Sequence, residues 1–153
     1  VYRARIEGHW SFFVRRTEFV TALYENVTVP LLMTWFSGTP FVAPILRLYG
    51  VKIGRRVYCE TDFLTEFDLV HVGDDCIIGK DSSLQTHLFE DRIMKMSSVT
   101  LKARSSVGSR CVVLYDSELG EEAKLDDLSL VMKREVIPKA TLWGGIPAQH
   151  KHL

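Results

Sequence analysis

The sequence lacks a surplus of charge of either sign, because 19 lysines and arginines balance 19 aspartates and glutamates. A general nucleic-acid-binding protein needs a basic surplus, so this composition argues against such a partner. Cysteine is scarce as well, and its three residues have no short pairable spacing, which argues against a secreted disulfide framework. The opening residues, VYRARIEGHW, are charged and aromatic, so we expect no signal peptide, and the start at Val1 suggests part of a longer chain.

The sequence contains enough apolar residues for one globular domain, since 46% of its 153 residues are hydrophobic. The N-terminal third has helix-like apolar spacing, and Thr17 predicts a helix start. From Asn26 to Leu46 no residue is charged over 21 positions, which is long enough for a membrane span. Pro30 and the turn-like stretch 37–40 interrupt this run. We therefore predict a pair of short helices, either buried or at a membrane surface, rather than a span.

After Gly50 the sequence repeats with a period of six residues. Every sixth residue from position 101 to position 137 is aliphatic: Leu101, Val107, Val113, Leu119, Leu125, Val131 and Ile137. The fourth residue after each of these is small in six of seven cases: Ser105, Cys111, Ser117, Ala123, Ser129 and Thr141. The same pattern starts earlier in the chain, with Ile53, Val72, Ile78 and Leu84.

This period predicts a three-sided solenoid, in which each unit forms one short strand and one corner, and three units close one coil. The aliphatic side chains would point inward and stack on the coils above and below, while the small residues sit in the corners. Glycine follows the aliphatic residue at Gly54, Gly73, Gly79, Gly108 and Gly120, where we expect it to supply the unusual backbone angles of the corner. Each coil contacts only its neighbours, so both ends need caps.

The repeat resembles the hexapeptide-repeat family of left-handed parallel β-helices. The resemblance implies a mainly β fold, and the left hand comes from it alone, since general rules favour right-handed crossovers. We therefore predict three parts. Residues 1–50 form a helical, partly apolar cap or membrane-adjacent segment, residues 51–149 a left-handed β-helix acyltransferase-like domain, and residues 150–153 a tail.

The register breaks twice, and the second break contains the one segment after Gly50 that does not resemble the repeat. Ile53 and Val72 are 19 residues apart, one more than three units, whereas Leu84 and Leu101 are 17 apart, one fewer. The second break includes residues 86–96. Loops that leave a rigid scaffold are where function concentrates.

His87 begins that segment and is the candidate catalytic residue. An imidazole in general titrates near neutrality and can take a proton from an attacking nucleophile, and Glu90 or Asp91 would fix the tautomer of this one. A surface histidine in a loop is the alternative. Many hexapeptide acyltransferases place a general-base histidine in the loop leaving a coil, after a run similar to residues 78–87 of this chain.

Acidic residues in and near the first break form a second candidate group. Asp62, Glu66 and Asp68 are expected to face one groove, with Thr86 beside them, and to hold a cationic amine; the alternative is a solvated acidic face. No set of three zinc histidines can be assembled, so no metal site is predicted.

Near the C-terminus, residues 143–149 (WGGIPAQ) resemble the Gly-x-Pro-Ala exit motif of hexapeptide acyltransferases. The resemblance implies that Gly145, Pro147 and Ala148 lie near the pantetheine arm of acyl-coenzyme A. The same motif is also a common way to end the solenoid, so a purely structural role is the alternative.

A narrower resemblance covers nearly the whole chain. The segments WSFFVRRTEFVTALYE (10–25), GTPF (38–41), TEFDLV (65–70) and LQTHLFEDR (84–92), with Met94-Lys95-Met96, are similar to the C-terminal region of membrane-bound nonribosomal peptide synthetases that include the ε-poly-L-lysine synthetases. The resemblance implies amide-bond formation between an amine and an aminoacyl thioester on a carrier-bound phosphopantetheine arm. No permanently bound cofactor is expected.

The same resemblance implies partners and a location. A carrier-protein domain and sister β-helix domains are the expected partners, in a homotrimer or pseudo-trimer, on the cytoplasmic side of a bacterial plasma membrane. Two other functions stay open: a stand-alone coenzyme A-dependent acetyltransferase that uses acyl-coenzyme A, and a non-catalytic scaffold domain.

Overall fold

The computed structural model describes residues 5–8 and 10–151, so 1–4 and 9 of the expected cap and 152–153 of the expected tail lie outside the described residues. The chain begins with strand β1 (Arg5–Gly8) and helix α1 (Phe12–Leu23). Ser11 caps the helix, because its Oγ accepts a hydrogen bond from the Val14 N–H at 3.3 Å. The predicted helix start at Thr17 is wrong: Thr17 lies inside α1, where its hydroxyl donates to the Phe13 carbonyl at 3.0 Å.

The apolar segment that follows is helical but is not one regular helix. A π-helical segment (Tyr24–Met33) leads into the short helix α2 (Thr34–Phe36), and Pro30 lies inside the π-helical segment instead of ending it. The predicted turn at residues 37–40 is present, and α3 (Val42–Tyr49) follows and ends at Gly50 with φ 106°. Among the described residues, none of the helices has both the length and the hydropathy needed to span a bilayer.

Short strands occupy the remainder of the chain, apart from a 3₁₀ turn (Phe67–Leu69). They are β2 (Lys52–Ile53), β3 (Tyr58–Cys59), β4 (Val70–Val72), β5 (Ile77–Ile78), β6 (Ser83–Gln85), β7 (His87–Glu90), β8 (Ile93–Met96), β9 (Val99–Leu101), β10 (Ser106–Val107), β11 (Val112–Leu114), β12 (Ser117–Leu119), β13 (Lys124–Leu125), β14 (Leu130–Val131), β15 (Val136–Ile137), β16 (Leu142–Gly144) and β17 (Gln149–His150).

Three parallel sheets form the walls of the stacked coils. The first sheet has the order β2-β4-β9-β12-β15, the second β3-β5-β10-β13-β16, and the third β6-β11-β14. From β9 onward, consecutive strands fall in the first, second and third sheets in turn, so three six-residue units complete one coil. Strand β17 pairs antiparallel with β16 at the end of the second sheet. The mainly parallel β architecture with helices at the N-terminal end is thus as predicted.

The repeat residues form the core that the period predicts. Every aliphatic residue of the series from Leu101 to Ile137 is at most 3% exposed. Parallel registers such as Leu84–Val113–Val131 stack these side chains from coil to coil. The small corner residues are buried as well, except the half-buried Thr141 in the last coil, because a large side chain would not fit there. Burial of successive aliphatic rungs, each contributing about 1.5–3 kcal/mol, therefore stabilises the walls.

The corners use left-handed backbone at a position other than the glycine. The third residue after each aliphatic rung except Leu84, where the hairpin begins, has positive φ, as at Asp75 (58°), Arg104 (58°) and Ala140 (55°). The glycine that directly follows the rung has another role. A Cβ on Gly73 would lie 2.6 Å from the backbone nitrogen of Ala103 in the next coil. The expectation that glycine supplies the backbone angles of the corner is therefore wrong. Glycine is required at this position because adjacent coils approach too closely to leave room for a Cβ.

The second break in register is an inserted hairpin and not a shortened coil. Leu84 in the third sheet and Leu101 in the first sheet are successive rungs, so 17 residues replace the usual step of six. The extra residues form β7 and β8, which pair antiparallel, with β1 added on the other edge of β8. The excursion therefore leaves the core register intact.

Many large apolar side chains of the N-terminal helical part are exposed. The most exposed are Phe12, Phe19, Leu31, Leu48, Phe41, Trp10 and Trp35. The two tryptophans are 80% and 77% exposed, which is unusual for so large an apolar ring. Exposed apolar side chains in such number are candidates for contact with another apolar body.

Candidate active site

The candidate catalytic histidine lies where the hairpin leaves the third sheet. His87 is the first residue of β7, directly after the buried Thr86, and its side chain is 22% exposed. The Thr86 carbonyl accepts a hydrogen bond from the Ser97 N–H at 3.0 Å, which closes the base of the hairpin. The imidazole is therefore fixed between a rigid coil and a two-stranded extension, with part of its ring open to solvent.

The carboxylate that orients His87 is Glu66. Glu66 Oε2 lies 2.7 Å from His87 Nδ1 and 2.5 Å from Thr86 Oγ1, and Glu66 is only 1% exposed. Thr86 Oγ1 also lies 2.9 Å from the Thr65 carbonyl oxygen. A buried carboxylate needs such donors, because without them its desolvation would be uncompensated. Glu66 thus acts as the positioning residue of the imidazole.

The backbone of the first break brings Glu66 to this position. Glu66 has φ 40° and ψ 63°, in the left-handed region, directly before the 3₁₀ turn. The same left-handed backbone occurs at the corners of the coils. Leu64 forms a parallel bridge with Leu84, so the residues that follow each of them run side by side. Glu66 consequently lies beside Thr86, one coil away from it.

The geometry fixes what the imidazole can do chemically. An ionised Glu66 accepts the Nδ1–H hydrogen bond, which leaves the Nε2 lone pair of a neutral His87 available as a base. When Nε2 takes a proton, the same carboxylate stabilises the resulting imidazolium. This is the arrangement of a general base with its orienting carboxylate.

A first cleft of about 350 Å³ opens beside the imidazole. Its lining residues come from the helical part, the first break and the third sheet: Glu25, Val29, Asp62, Phe63, Leu64, Thr65, Ser83, Gln85 and His87. No lysine or arginine lines it. Within the described part of the chain, neither Asp62 nor Glu25 has an ion-pair partner. The first cleft is therefore acidic.

A second cleft, of about 210 Å³, lies between α1 and the hairpin. It is lined by Thr17, Glu18, Thr21, Ala22, Glu25, Glu66, His87, Phe89 and Met94. The two clefts share Glu25 and His87. The imidazole is therefore accessible from the third sheet on one side and from α1 on the other.

The two acidic residues predicted to orient His87 lie elsewhere. Glu90 is paired with Lys95 at 2.7 Å and with Lys133 at 2.8 Å. These ammonium groups, Lys133 first, lower the pKa of Glu90 to about 2. Asp91 is exposed at the tip of the hairpin, with φ 52°. Glu90 therefore anchors the hairpin to a distant corner of the coil, and the assignment of His87's partner to Glu90 or Asp91 is corrected to Glu66.

The structure separates the residues predicted to hold an amine. Asp62 lines the first cleft, whereas Glu66 binds His87 and Thr86 lies behind the imidazole with its hydroxyl on Glu66. Asp68 lies beside Gly50 at the end of α3. The four residues thus do not form one amine-binding group.

The sequence did not identify Glu25 as a site residue. It lies in the helical part, 37 positions before Asp62, and only the packing of that part on the coil brings the two into one cleft. A charged residue in an otherwise apolar stretch was the one available signal.

The exit motif lies at the far end of the third sheet. The Gly145 carbonyl accepts from the Leu130 N–H at 2.9 Å, and the Ala148 N–H donates to the Leu130 carbonyl at 2.7 Å. Pro147, between them, is exposed. Four apolar residues face outward on the same sheet and define the outer strip: Val112, Leu114, Leu130 and Met132. Because Val112 is in register with Ser83 and Leu114 with Gln85, the outer strip joins the first cleft to the exit motif.

No protein-family model matches the chain. The delta-poly-L-ornithine synthetase of Acinetobacter baumannii (strain AB307-0294) is 42% identical over 147 residues, which cover 96% of this chain. The chain spans 11% of the length of that curated relative. This similarity confirms the resemblance to poly-amino-acid synthetases that the sequence indicated.

Solved structures agree on the fold. A hexapeptide-repeat acetyltransferase of Vibrio cholerae has a TM-score of 0.65 at 15% identity, covering 95% of this chain and 94% of that one. A structure of the same protein complexed with acetyl-coenzyme A has a TM-score of 0.60 at 14% identity, covering 89% of each chain. At this level of identity the likeness shows a shared fold.

Proposed function

Because the chain is a hexapeptide-repeat domain, we propose that it is an acyltransferase that joins an amine to an acyl thioester with His87 as general base. The observation that carries the proposal is the 2.7 Å contact between His87 Nδ1 and the buried Glu66, beside an acidic cleft. The left-handed winding of the coils, which the sequence resemblance implies, belongs to the same proposal.

The reaction proceeds by addition and elimination at the thioester carbonyl. The neutral amine attacks the carbonyl carbon, a C–N bond forms, and Nε2 of His87 takes the proton that the nitrogen loses. The C–S bond then breaks, and the proton passes from the imidazolium to the departing thiolate. Glu66 stabilises the transient imidazolium throughout. The products are an amide and a thiol, and no external oxidant or reductant is needed.

The charge of the first cleft favours a cationic substrate. Asp62 contributes a carboxylate that has no salt bridge among the described residues, and no lysine or arginine lines this cleft. A cleft lined by one sign of charge attracts the opposite sign and raises its local concentration. An aminoacyl group with a free ammonium fits this charge, in accord with the ornithine named for the bacterial relative.

The outer strip provides a path for the arm that carries the acyl group. It runs from the exit motif to Gln85 over about three strand spacings, or roughly 15 Å, since neighbouring strands lie about 4.8 Å apart. An extended pantetheine arm has apolar methylenes along most of its length and amide groups that can reach strand edges. We propose that Gly145, Pro147 and Ala148 hold its outer end. The arm belongs to a carrier domain in a peptide synthetase or to acyl-coenzyme A.

The test is to replace His87 by alanine in the complete polypeptide and to measure amide product from a preloaded donor. Turnover should fall about 10²–10⁴-fold, the usual contribution of a general base. His71→Ala is the matched control, because His71 lies on the outer face of β4, away from both clefts. Unchanged turnover with His87→Ala would remove the proposed chemistry and leave the scaffold function.

The donor decides between a synthetase domain and a stand-alone acetyltransferase. The assay is run in parallel with a carrier-bound aminoacyl thioester and with acetyl-coenzyme A. A higher kcat/KM for the carrier-bound donor supports the peptide-forming role, in which sister domains and a carrier are the partners. Preference for acetyl-coenzyme A would overturn that role and support the acetyltransferase.

We also propose that the exposed apolar side chains of the helical part face a membrane, in keeping with a place on the cytoplasmic side of a bacterial plasma membrane as part of a larger chain. Exposed tryptophans such as Trp10 and Trp35 suit a membrane interface, where one edge of the ring is apolar and the other wet. Cosedimentation with phosphatidylglycerol–phosphatidylethanolamine vesicles tests this. Replacing both tryptophans by serine should reduce binding, and equal binding of the variant would contradict the proposal.

A further inference from the structure

The second cleft has no assigned ligand, although it reaches the same imidazole as the first. Its walls are α1 and the hairpin, and the residues it shares with the first cleft are Glu25 and His87. Acyl transfer to an amine needs two reactants at one base, held in a productive orientation. One cleft for each reactant would meet that need.

We propose that the second cleft is the subsite for the acceptor amine and that Glu25 is the residue that determines its specificity for diamines. This inference rests on the proposed acyl transfer and adds where the nucleophile binds. One amine of the acceptor would meet Nε2 of His87, and the Glu25 carboxylate would hold the second as an ammonium.

The lining of the clefts favours this division. The outer strip leads into the first cleft through Ser83 and Gln85, so the donor arm reaches His87 from the third sheet. The acceptor must then come from another direction, and the second cleft provides one. The Thr21 side chain adds a hydroxyl to the lining, which suits an amine, and Glu66 in its wall keeps the imidazole oriented.

Size and charge agree with a short cationic chain. At about 30 Å³ per water-sized group, the cleft has room for about seven such groups, the size of a short linear diamine. Two carboxylates at its rim differ in availability. Glu18 is already paired with Arg15 at 3.0 Å, whereas Glu25 has no ion-pair partner among the described residues. Glu25 is therefore the group left to bind an external ammonium.

The test compares two acceptors, 1,4-diaminobutane and n-butylamine, in the complete polypeptide with one fixed thioester donor. Glu25→Gln should raise KM for 1,4-diaminobutane about 10- to 100-fold, the loss expected for one charge-assisted hydrogen bond, and leave KM for n-butylamine unchanged. Asp62→Asn is the matched comparison, because Asp62 does not line the second cleft. The Asp62→Asn variant should have a changed KM for the thioester donor and an unchanged KM for 1,4-diaminobutane.

A second variant fills the cleft without touching the charge. Ala22 is exposed on α1 and lines the second cleft, so Ala22→Trp should obstruct acceptor binding without disturbing the core. KM for both amines should rise while KM for the donor is unchanged. Unaltered acceptor KM in both Glu25→Gln and Ala22→Trp would overturn the subsite.

A binding measurement separates this inference from the proposed function. Titration of the His87→Ala variant with 1,4-diaminobutane, followed by NMR, should show binding that Glu25→Gln weakens about 10- to 100-fold in the same background. If His87→Ala keeps full turnover, the proposed function fails while the titration still tests the subsite. If His87→Ala is inactive but the diamine binds equally with and without Glu25, the subsite fails and the chemistry stands.

Discussion

Replacing Glu66 by glutamine tests the central interaction of the site with the smallest change in shape. The side chain keeps its volume in a position that is 1% exposed, so the fold should persist. What is lost is the negative charge 2.7 Å from His87 Nδ1. A hydrogen bond to a charged group is worth about 1.5–3 kcal/mol, and each 1.4 kcal/mol corresponds to about a factor of ten.

The loss should appear in kcat and not in KM. The imidazole carries its positive charge only while it holds the transferred proton, so Glu66 stabilises the transition state more than the bound substrate. We expect kcat to fall about 10- to 100-fold and KM for both substrates to stay the same. Steady-state measurement of amide product with a preloaded donor gives both constants.

Two controls make the result specific. Glu90→Gln removes a carboxylate that the sequence placed near His87 but that the structure pairs with lysines, and it should retain kcat. In a His87→Ala background, Glu66→Gln should have no further effect, since residues that act as a unit are not additive. Full activity of Glu66→Gln, or independent additive losses in the double variant, would refute the proposed pairing.

Three further predictions concern the scaffold. Gly73→Ala should lower the free energy of unfolding by about 1–3 kcal/mol in urea titrations, because its Cβ would lie 2.6 Å from the Ala103 backbone nitrogen; unchanged stability would contradict the packing account. Burial raises the pKa of the Cys59 thiol to about 11, so the native protein should resist alkylation by iodoacetamide at pH 8 and react only after unfolding. Glu90→Gln should destabilise the fold at pH 7, because the pKa of Glu90 is depressed to about 2 from 4.5 and its stabilisation is present above the higher value. The difference between the two proteins should shrink as pH falls from 4.5 towards 2, and a difference that grows instead would count against the ion pairs.

The sequence predicted the parallel sheets of the coils because the same pattern of buried residues repeats along them. A rung such as Val113 recurs every six residues, and a single local rule therefore specifies the whole core. The corners were harder, since glycine at Gly73 and left-handed backbone at Asp75 are separate requirements two residues apart. Residue type alone does not distinguish close approach from an unusual φ.

The site was only partly predictable because its parts come from different coils. His87 was identified from the break in register, but its partner was sought among its sequence neighbours. Glu66 lies 21 residues earlier and meets His87 through the Leu64–Leu84 register, a contact that local spacing does not reveal. Alignment of the two breaks as adjacent coils would have placed Glu66 beside Thr86.

The hairpin between Leu84 and Leu101 has a consequence for how such domains diversify. The chain leaves the third sheet after Leu84 and returns to the first sheet before Leu101 without shifting the register of either sheet. Substitutions or length changes in the hairpin therefore need not preserve the six-residue spacing that the repeat units require. The hairpin that carries His87 can therefore change in sequence during evolution while the coils that support it stay the same. Two domains with similar sheets and different hairpins should then have the same fold but act on different substrates.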